Sequence, residues 1–323
     1  MQGSFQKRLV RMGSKVFFIV NPVSRGGKSL YTWHEVYSLL KLTNLDVSYG
    51  FTQAVGEATK LAKEAALLNV YDIIVSFGGD GTANEIINGL IDATNQVEIP
   101  TFTIFPAGTG SDTVRTLGIT SNFQDFFNLL EKNISTKIDV GVVNYQLIDE
   151  TTKRCRYFIN ACDIGIGATV VNTVNQMNKD DVKKSGKAKY FRSIITQVLK
   201  FKAFNASVKI NETHFPLADT VIIAICNGRF FGGGVKVSPL SKMNDGCLEM
   251  VSTTGATKMD LFNIVSKIYH GSHVDHKKVR FESNRNFCVA LEKPQLLETD
   301  GEVVGLVLEA EFKVASVSIN VLC

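Results

Sequence analysis

The stretch that decides the fold is Val75-Ser76-Phe77-Gly78-Gly79-Asp80-Gly81-Thr82. It ends a short apolar, β-branched run, Asp72–Phe77, which has the composition of a buried strand. A helical pattern begins at Ala83 and places Ile86, Ile87 and Leu90 on one face. A strand, a glycine turn and a helix start bring backbone N–H groups and the positive end of a helix to one point. The stretch therefore predicts a phosphate site. The carboxylate of Asp80 would repel an anion there, which indicates a bound Mg²⁺ or a water network between the two.

The same stretch has a simpler interpretation, in which the glycines only permit positive φ angles in a tight turn. Asp80 would then cap the helix that follows. The stretch by itself leaves both interpretations open.

Strand and helix signals alternate through the first 140 residues. Strands are predicted over Lys15–Val20, Val47–Phe51, Asp72–Phe77 and Thr101–Phe105, and helices over Leu30–Leu42, Glu57–Leu68, Ala83–Ile91 and Asn122–Lys132. This alternation predicts a parallel sheet covered by helices on both faces, and such sheets bind ligands beyond the carboxyl ends of their strands. Three glycine-containing turns follow predicted strands, namely Asn21–Lys28, Gly78–Thr82 and Pro106–Asp112. We expect a site at that edge.

The remainder of the chain has a different pattern. Strands are predicted over Tyr157–Ala161, Ala206–Ile210, Thr220–Cys226, Leu248–Ser252, Asn286–Leu291 and Phe312–Val321, and helices only near Ala188–Phe204 and Met259–Tyr269. Short strands separated by Gly, Asn and Asp turns are typical of an antiparallel β domain. We therefore predict an α/β domain over residues 1–140 and a β domain over 141–323. An alternative assignment returns the last strand to the first domain.

Charge and cysteine usage limit the class of protein. The 35 basic and 31 acidic residues give a net charge of +4, which does not indicate nucleic-acid binding. The six cysteines form no Cys-x-x-Cys pair, a pattern that argues for a reducing compartment and against structural zinc. No apolar run approaches the roughly 18 residues of a membrane span. We expect a cytoplasmic protein without a transmembrane segment.

A basic stretch from Val182 to Asn211 contains no acidic residue. Its basic residues are Lys183, Lys184, Lys187, Lys189, Arg192, Lys200, Lys202 and Lys209. A solvated helix face is one interpretation. The aromatic and aliphatic residues in the same stretch favour another, transient contact with an anionic membrane surface.

The three turns resemble, in their order, the motifs of the diacylglycerol-kinase-like lipid kinase family, which includes sphingosine and ceramide kinases. The matching stretches are Asn21-Pro22-Val23-Ser24-Arg25-Gly26-Gly27-Lys28, Gly78-Gly79-Asp80-Gly81-Thr82, Pro106-Ala107-Gly108-Thr109-Gly110-Ser111-Asp112 and Thr299-Asp300-Gly301-Glu302. The resemblance covers roughly residues 15 to 320. It implies a Rossmann-like, three-layer α/β domain of the NAD kinase and diacylglycerol kinase type, followed by an antiparallel β-sandwich. ATP and the lipid would meet in the cleft between the domains.

The resemblance also assigns site residues. It implies a nucleotide site made by Asn21, Ser24, Lys28, Thr52, Gly78, Gly79, Asp80, Gly81, Thr82, Glu85, Gly108, Thr109, Gly110, Asp112 and Arg115. Positions that match the family's metal network are Asp112, Asp139 and Asp245. Asp300 matches the general base, with Glu302 beside it and Asp80 completing the catalytic set.

The implied function is transfer of the γ-phosphate of ATP, with Mg²⁺, to the hydroxyl of a membrane lipid alcohol of the diacylglycerol type. A homodimer is compatible with it. The adjacent aromatics of Phe230-Phe231-Gly232-Gly233-Gly234 indicate either core packing or a lip beside the acceptor site. The alternatives are an NAD kinase-like phosphotransferase, a catalytically silent nucleotide- or lipid-binding protein and, for Asp300-Gly301, a plain hairpin turn. Asp300→Asn is expected to abolish turnover and leave the fold intact.

Overall fold

The structure is a computed structural model that describes residues 14–108, 110–176 and 200–323. Within them the chain divides into two compact units. The first runs to Val140 and includes Ser316–Cys323, and the second is Gly141–Ala315.

The first unit contains a parallel sheet. Its strands are β1 (Lys15–Val20), β2 (Asp46–Phe51), β3 (Ile73–Gly78) and β4 (Thr101–Pro106), in the order β4-β3-β1-β2. Its helices are α1 (Lys28–Leu40), α2 (Glu57–Leu67), α3 (Asp80–Ala93), α4 (Asp112–Leu117) and α5 (Phe123–Lys132). The chain returns at its end, where Val321 pairs with Phe102 of β4 in parallel. The predicted α/β class is confirmed.

The inner strands of this sheet are largely buried, and all six residues of β3 are buried, whereas the edge strand β2 is partly exposed. One core cluster contains stacked Phe77 and Phe105 rings, whose centroids lie 4.8 Å apart, and the fully buried Trp33. Burying one such side chain contributes about 1.5–3 kcal/mol.

Two features of the first unit differ from the sequence prediction. Helix α3 begins at Asp80, three residues before the apolar pattern starts at Ala83. Helix α4, which the pattern did not predict, begins at Asp112. Both glycine turns are thus shorter than predicted, and each leads directly into a helix with an aspartate as its first residue.

The second unit is built from antiparallel strands. They are the later part of β5 (Ser135–Leu147), β6 (Lys153–Phe158), β7 (Ala161–Gly165), β8 (Phe204–Ile210), β9 (Thr213–Thr220), β10 (Ile222–Cys226), β11 (Leu248–Thr253), β12 (Val279–Asn284), β13 (Asn286–Thr299) and the earlier part of β14 (Glu302–Leu322). Two described helices accompany them, α6 (Ile166–Gln176) and α7 (Lys258–Ile268).

Strand β13 serves both layers of this β-sandwich. Its first part, Cys288–Leu291, pairs with β8, and its last part, Leu297–Thr299, pairs with β7. A register shift between Ala290 and Gln295 separates the two parts, as expected where an irregularity bends a strand. The buried side chains of both layers form one cluster that includes Phe158, Phe287 and Phe312.

Two predictions for this unit need correction, and a third falls largely outside the described residues. The predicted strand Tyr157–Ala161 is interrupted, because β6 ends at Phe158 and β7 begins at Ala161. The predicted helix Ala188–Phe204 lies outside the described residues up to residue 199, and its last residue, Phe204, begins strand β8. The basic residues Lys183, Lys184, Lys187, Lys189 and Arg192 also lie outside the described residues.

Among the described residues, no helix has both the length and the apolar character needed to cross a membrane.

Candidate functional site

The first turn is joined to the second through Asn21. Its backbone N–H donates to the Phe77 carbonyl oxygen at 3.0 Å, and its side-chain Nδ2 donates to Thr82 Oγ1 at 3.0 Å. Because β1 and β3 are adjacent parallel strands, the turns that follow them meet at one edge of the sheet. Asn21 fixes the distance between them.

The rest of the first turn is a short 3-10 segment, Ser24–Gly27, that leads into α1. Lys28 is the first residue of α1 and is exposed, while Ser24 is half-buried. Thr52 lies buried just after β2, and its N–H donates to the Val20 carbonyl at 2.9 Å. These predicted nucleotide residues all follow the carboxyl ends of parallel strands.

The second and third turns are held together by Asp80. One oxygen of its carboxylate, Oδ2, accepts the N–H of Asp112 at 3.1 Å, and the other, Oδ1, accepts the N–H of Thr113 at 3.1 Å. These are N–H groups of the first turn of α4, which have no partner inside that helix. Asp80 therefore caps α4, a helix 32 positions along the chain, in addition to opening its own helix.

Close backbone contact between the two turns requires glycine. A β-carbon placed on Gly108 would lie 2.2 Å from Cα of Gly79, and one placed on Gly110 would lie 2.7 Å from Asp80 Oδ2. Contacts this short do not occur between real side chains and backbone, so these glycines let the turns touch. Thr109, between them, lies outside the described residues.

Glu85 has a structural position. Its Oε1 accepts the N–H of Gly56 at 2.9 Å and its Oε2 accepts that of Ala58 at 3.1 Å, which caps the start of α2. Both oxygens are thus used within the first unit.

Asp112 is buried and forms an ion pair with Arg115. Arg115 Nη1 lies 2.6 Å from Asp112 Oδ1 and also donates to the Gly110 carbonyl at 2.5 Å. The Arg115 side chain remains 42% exposed, so part of the guanidinium is available to an anion.

The residues implied for Mg²⁺ are only partly brought together. A β-carbon on Gly110 would lie 2.7 Å from Asp80 Oδ2 and 3.9 Å from Asp112 Oδ2, so these two carboxylates converge. Mg²⁺ is commonly held by one or two carboxylates, with phosphate and water supplying the other ligands, and Asp80 with Asp112 fits that pattern. Asp139 is half-buried on β5, and Asp245 is exposed in a turn where its Oδ1 accepts the Cys247 N–H at 3.1 Å. The described residues contain no cluster of three or more His, Cys, Asp or Glu side chains placed to hold a metal.

In the second unit, Asp300 and Gly301 form the two-residue turn between β13 and β14. Their φ angles are 46° and 89°, as in the tight hairpin turns that favour Asp-Gly. The hairpin interpretation is therefore correct, but the Asp300 side chain has a further role. It is 5% exposed, and its carboxylate accepts the N–H groups of Ile159 at 2.8 Å, Asn160 at 3.0 Å and Ala161 at 2.8 Å.

These three hydrogen bonds explain why the predicted strand Tyr157–Ala161 is interrupted. The N–H groups of residues 159–161 turn toward Asp300, and Asp300 N–H donates back to the Ala161 carbonyl at 2.9 Å. These hydrogen bonds hold the Asp300 carboxylate in a fixed position.

Two neighbouring contacts complete this site. Glu302 forms a salt bridge with Arg156, and both side chains are partly exposed. Asn160 Nδ2 donates to the Phe230 carbonyl at 2.8 Å. Phe231 pairs with Val235 and packs on a small apolar cluster around Ala161 and Cys226. Core packing therefore accounts for Phe231, whereas the adjacent glycines Gly232 and Gly233 are exposed.

Two buried carboxyl groups lie behind the turn, and the sequence did not suggest a role for either. Burial raises the pKa of Asp163 to about 8, and the N–H groups of Gly167 and Ala168 oppose that shift without reaching hydrogen-bond geometry. Burial, and then the charge of Asp163, raises the pKa of Glu298 well above its usual range. A charged residue inside the apolar run Ala161–Ile164 is a signal for Asp163, because such residues are rarely buried without a function or a partner. The sequence around Glu298 contains no such signal.

Two family models of known proteins match the chain, one in each unit for most of its length. Residues 15–143 match the family model of the diacylglycerol kinase catalytic domain. Residues 160–323 match that of the YegS C-terminal NAD kinase beta sandwich-like domain.

Individual relatives span most of the chain. A diacylglycerol kinase of Staphylococcus haemolyticus is 28% identical over 89% of this chain and 82% of its own length. One of Bacillus subtilis is 26% identical over 91% of both chains. A solved structure of a candidate diacylglycerol kinase from Bacillus anthracis covers 99% of this chain and 98% of its own, with a TM-score of 0.75 and 25% identity. Yeast NADH kinase in complex with NADH matches 97% of this chain and 84% of its own at a TM-score of 0.54 and 11% identity, a likeness of fold alone.

Proposed function

The chain belongs to the diacylglycerol-kinase-like family of lipid kinases, and on that premise we propose that it transfers the γ-phosphoryl group of ATP to the hydroxyl of a membrane lipid alcohol of the diacylglycerol type. The observation that carries the proposal is the construction of the three turns. Asn21 and Asp80 tie together the loops that follow three parallel strands, at the edge where such sheets bind ligands.

The phosphates of the nucleotide would be held at the start of α3. The first N–H groups of a helix lack partners within it, and together with the helix dipole they attract anions. Exposed Lys28 and the partly exposed guanidinium of Arg115 add positive charge on the neighbouring turns. Asp80 and Asp112 would hold Mg²⁺, which neutralises phosphate charge when bound.

Asp300 would act on the lipid hydroxyl. A carboxylate can accept the hydroxyl proton as the new P–O bond forms and the bond to the leaving ADP oxygen breaks. The three backbone N–H groups fix the position of this carboxylate. Positioning contributes more than proton affinity when the transition state is loose, so Asp300 suits a reaction of this type.

The proposal is tested by incubating the protein with Mg²⁺ and ATP labelled in the γ-phosphate, together with a panel of diacylglycerol, sphingoid bases, polyprenols and NAD⁺. We expect label in a lipid of the diacylglycerol type and loss of that label in Asp80→Ala. Label in NAD⁺ alone would overturn the lipid assignment. Binding of ATP without any transfer would identify a silent binding protein instead.

Helix α7 supports the membrane part of this proposal. Its solvent-facing side carries large apolar side chains, which are Met259 (75% exposed), Phe262 (74%) and Val265 (44%), and Tyr269 (53%) follows directly after the helix. Lys258 and Lys267 are exposed on the same helix, whereas its one acidic residue, Asp260, caps the helix through Thr257. Apolar and basic residues on one exposed helix are typical of helices that lie in the surface of an anionic membrane.

We predict that the double substitution Met259→Ser with Phe262→Ser weakens binding to vesicles that contain anionic phospholipid by about tenfold or more, because two apolar side chains no longer enter the membrane. Co-sedimentation with vesicles measures this. The matched control is Leu42→Ser with Leu68→Ser, which removes two side chains that are 83% and 63% exposed elsewhere. Equal binding by both double variants would exclude α7 as the contact.

A further inference from the structure

Two carboxyl groups are buried side by side beneath the Asp300 turn. Asp163 on β7 is 0% exposed and Glu298 on β13 is 1% exposed. They are directly paired in the antiparallel ladder between these strands, which places both side chains on the same face of the sheet. Their carboxyl groups therefore face the same dry interior.

Among the described residues, compensation of two negative charges in this interior is limited to backbone N–H groups. Those of Gly167 and Ala168, at the start of α6, favour the ionised form of Asp163 without reaching hydrogen-bond geometry. A β-carbon on Gly167 would lie 2.0 Å from Asp163 Oδ2, so the start of α6 encloses the group closely. Glu298 Oε2 accepts the Gly301 N–H at 2.7 Å.

The titratable and charged groups around the pair, within the described part of the chain, are mostly acidic. They are Cys162, Cys226, Glu249, Asp300, Glu302 and Arg156. The cation in this set, Arg156, is already in a salt bridge with Glu302. Two adjacent carboxylates without a cation of their own cannot both be ionised in a buried site at moderate cost.

We infer that Asp163 and Glu298 share one proton, and that this singly protonated pair holds the Asp300–Gly301 turn in place, which makes both side chains positioning residues for the reaction proposed above. The positioning role rests on that proposed function, whereas the shared proton does not. The proton belongs to the pair and is not assigned to either residue.

The link to the turn is short. Glu298 lies on β13 two residues before Asp300 of the turn, and its carboxylate accepts the N–H of Gly301, the residue just after Asp300. Thr299, between them, pairs with Cys162, the neighbour of Asp163. Ionising both carboxyl groups would push Glu298 away from Asp163 and pull on the turn that carries Asp300.

The consequence for stability has a definite sign. The folded pair holds a proton that the unfolded chain, with ordinary carboxyl pKa values near 4, releases. The stability that this proton provides is complete below about pH 4, falls as the pH rises toward about 8, and is constant above it. The amide of Asp163→Asn is neutral in both states, so this substitution removes the contribution of Asp163 to this pH dependence, whereas burial continues to raise the pKa of Glu298.

We therefore expect the melting temperature of Asp163→Asn minus that of wild type to increase by about 5 °C or more between pH 5 and pH 8. Glu298→Gln, which keeps an oxygen acceptor for Gly301, removes the neighbouring charge and should show a smaller trend, because burial still raises the pKa of Asp163. The matched control is Glu212→Gln, because the Glu212 side chain is 96% exposed and should show no such trend. Parallel melting curves for wild type and both amide variants across this pH range would overturn the shared proton.

Two further readouts complete the test. Infrared spectroscopy of the wild-type protein at pH 7 should show the band of a buried protonated carboxyl group, whether or not the variants fold, and its absence would also overturn the inference. In the transfer assay, well below the melting temperature, kcat/KM of wild type should fall above about pH 8, and that of Asp163→Asn should not. If the melting and infrared results show the shared proton but wild type and Asp163→Asn have identical pH–rate profiles, the pair stabilises the fold and has no positioning role. Absence of lipid transfer at every pH, with the melting and infrared results intact, would instead reject the proposed function.

Discussion

Asp300→Asn lowers the rate of phosphoryl transfer to lipid by about 10²–10⁴-fold, the contribution expected of a general base. The amide cannot accept the hydroxyl proton, although it has nearly the shape of the carboxylate. Steady-state transfer of labelled phosphate to a diacylglycerol-type lipid measures this effect.

The same substitution also destabilises the second unit, which corrects the expectation that the fold would stay intact. The carboxylate of Asp300 accepts three backbone N–H groups, and an amide must place its NH₂ against at least one of them. A buried donor without an acceptor costs about 1–3 kcal/mol. Thermal melting should therefore show a clear decrease in melting temperature.

Asp219→Asn is the control for Asp300→Asn. Asp219 also has a positive φ, 48°, but it is exposed, so the same chemical change should alter neither rate nor stability. If Asp300→Asn transfers phosphate at the wild-type rate, Asp300 has no catalytic role. An unchanged melting temperature would show that the three N–H groups find other acceptors.

Gly108→Ala weakens ATP binding by about 100-fold or more. The new methyl group would lie 2.2 Å from Cα of Gly79, so the second and third turns must separate by more than 1 Å. A misplacement of about 1 Å costs an enzyme on the order of 10²-fold in rate, and we expect a loss of similar size in affinity. Calorimetry with a non-hydrolysable ATP analogue measures the affinity without interference from turnover.

Gly79→Ala is the matched comparison for Gly108→Ala. Its φ is −101°, and its methyl group would meet Cα of Gly108 at 3.5 Å, an ordinary contact. Its effect on affinity should be much smaller. Equal losses in the two variants would show that any side chain on these turns interferes, and equal retention would contradict the close approach of the two turns.

The parts of the fold that could be predicted from sequence are those specified by neighbouring residues. The β-branched run that ends at Phe77 is a buried strand, and the apolar spacing of Ile86, Ile87 and Leu90 does lie on a helix. Such periodicity is a property of a single segment, so it predicts the α/β class directly.

The parts that could not be predicted depend on residues far apart in the sequence. Asp80 caps a helix 32 positions away, and Asp300 binds N–H groups about 140 positions away. Asp163 and Glu298 meet only because β7 and β13 pair. The motifs therefore identify which residues lie at the sites, whereas the bonds that these residues make require the folded chain.

The central claim is that the acceptor is a lipid hydroxyl and that the donor is ATP. The most direct test is a single reaction containing the protein, Mg²⁺, ATP, NAD⁺ and vesicles of anionic phospholipid with diacylglycerol, analysed by mass spectrometry. We predict that phosphatidic acid forms, that NADP⁺ does not, and that Asp80→Ala makes neither. Formation of NADP⁺ without phosphatidic acid would contradict the claim.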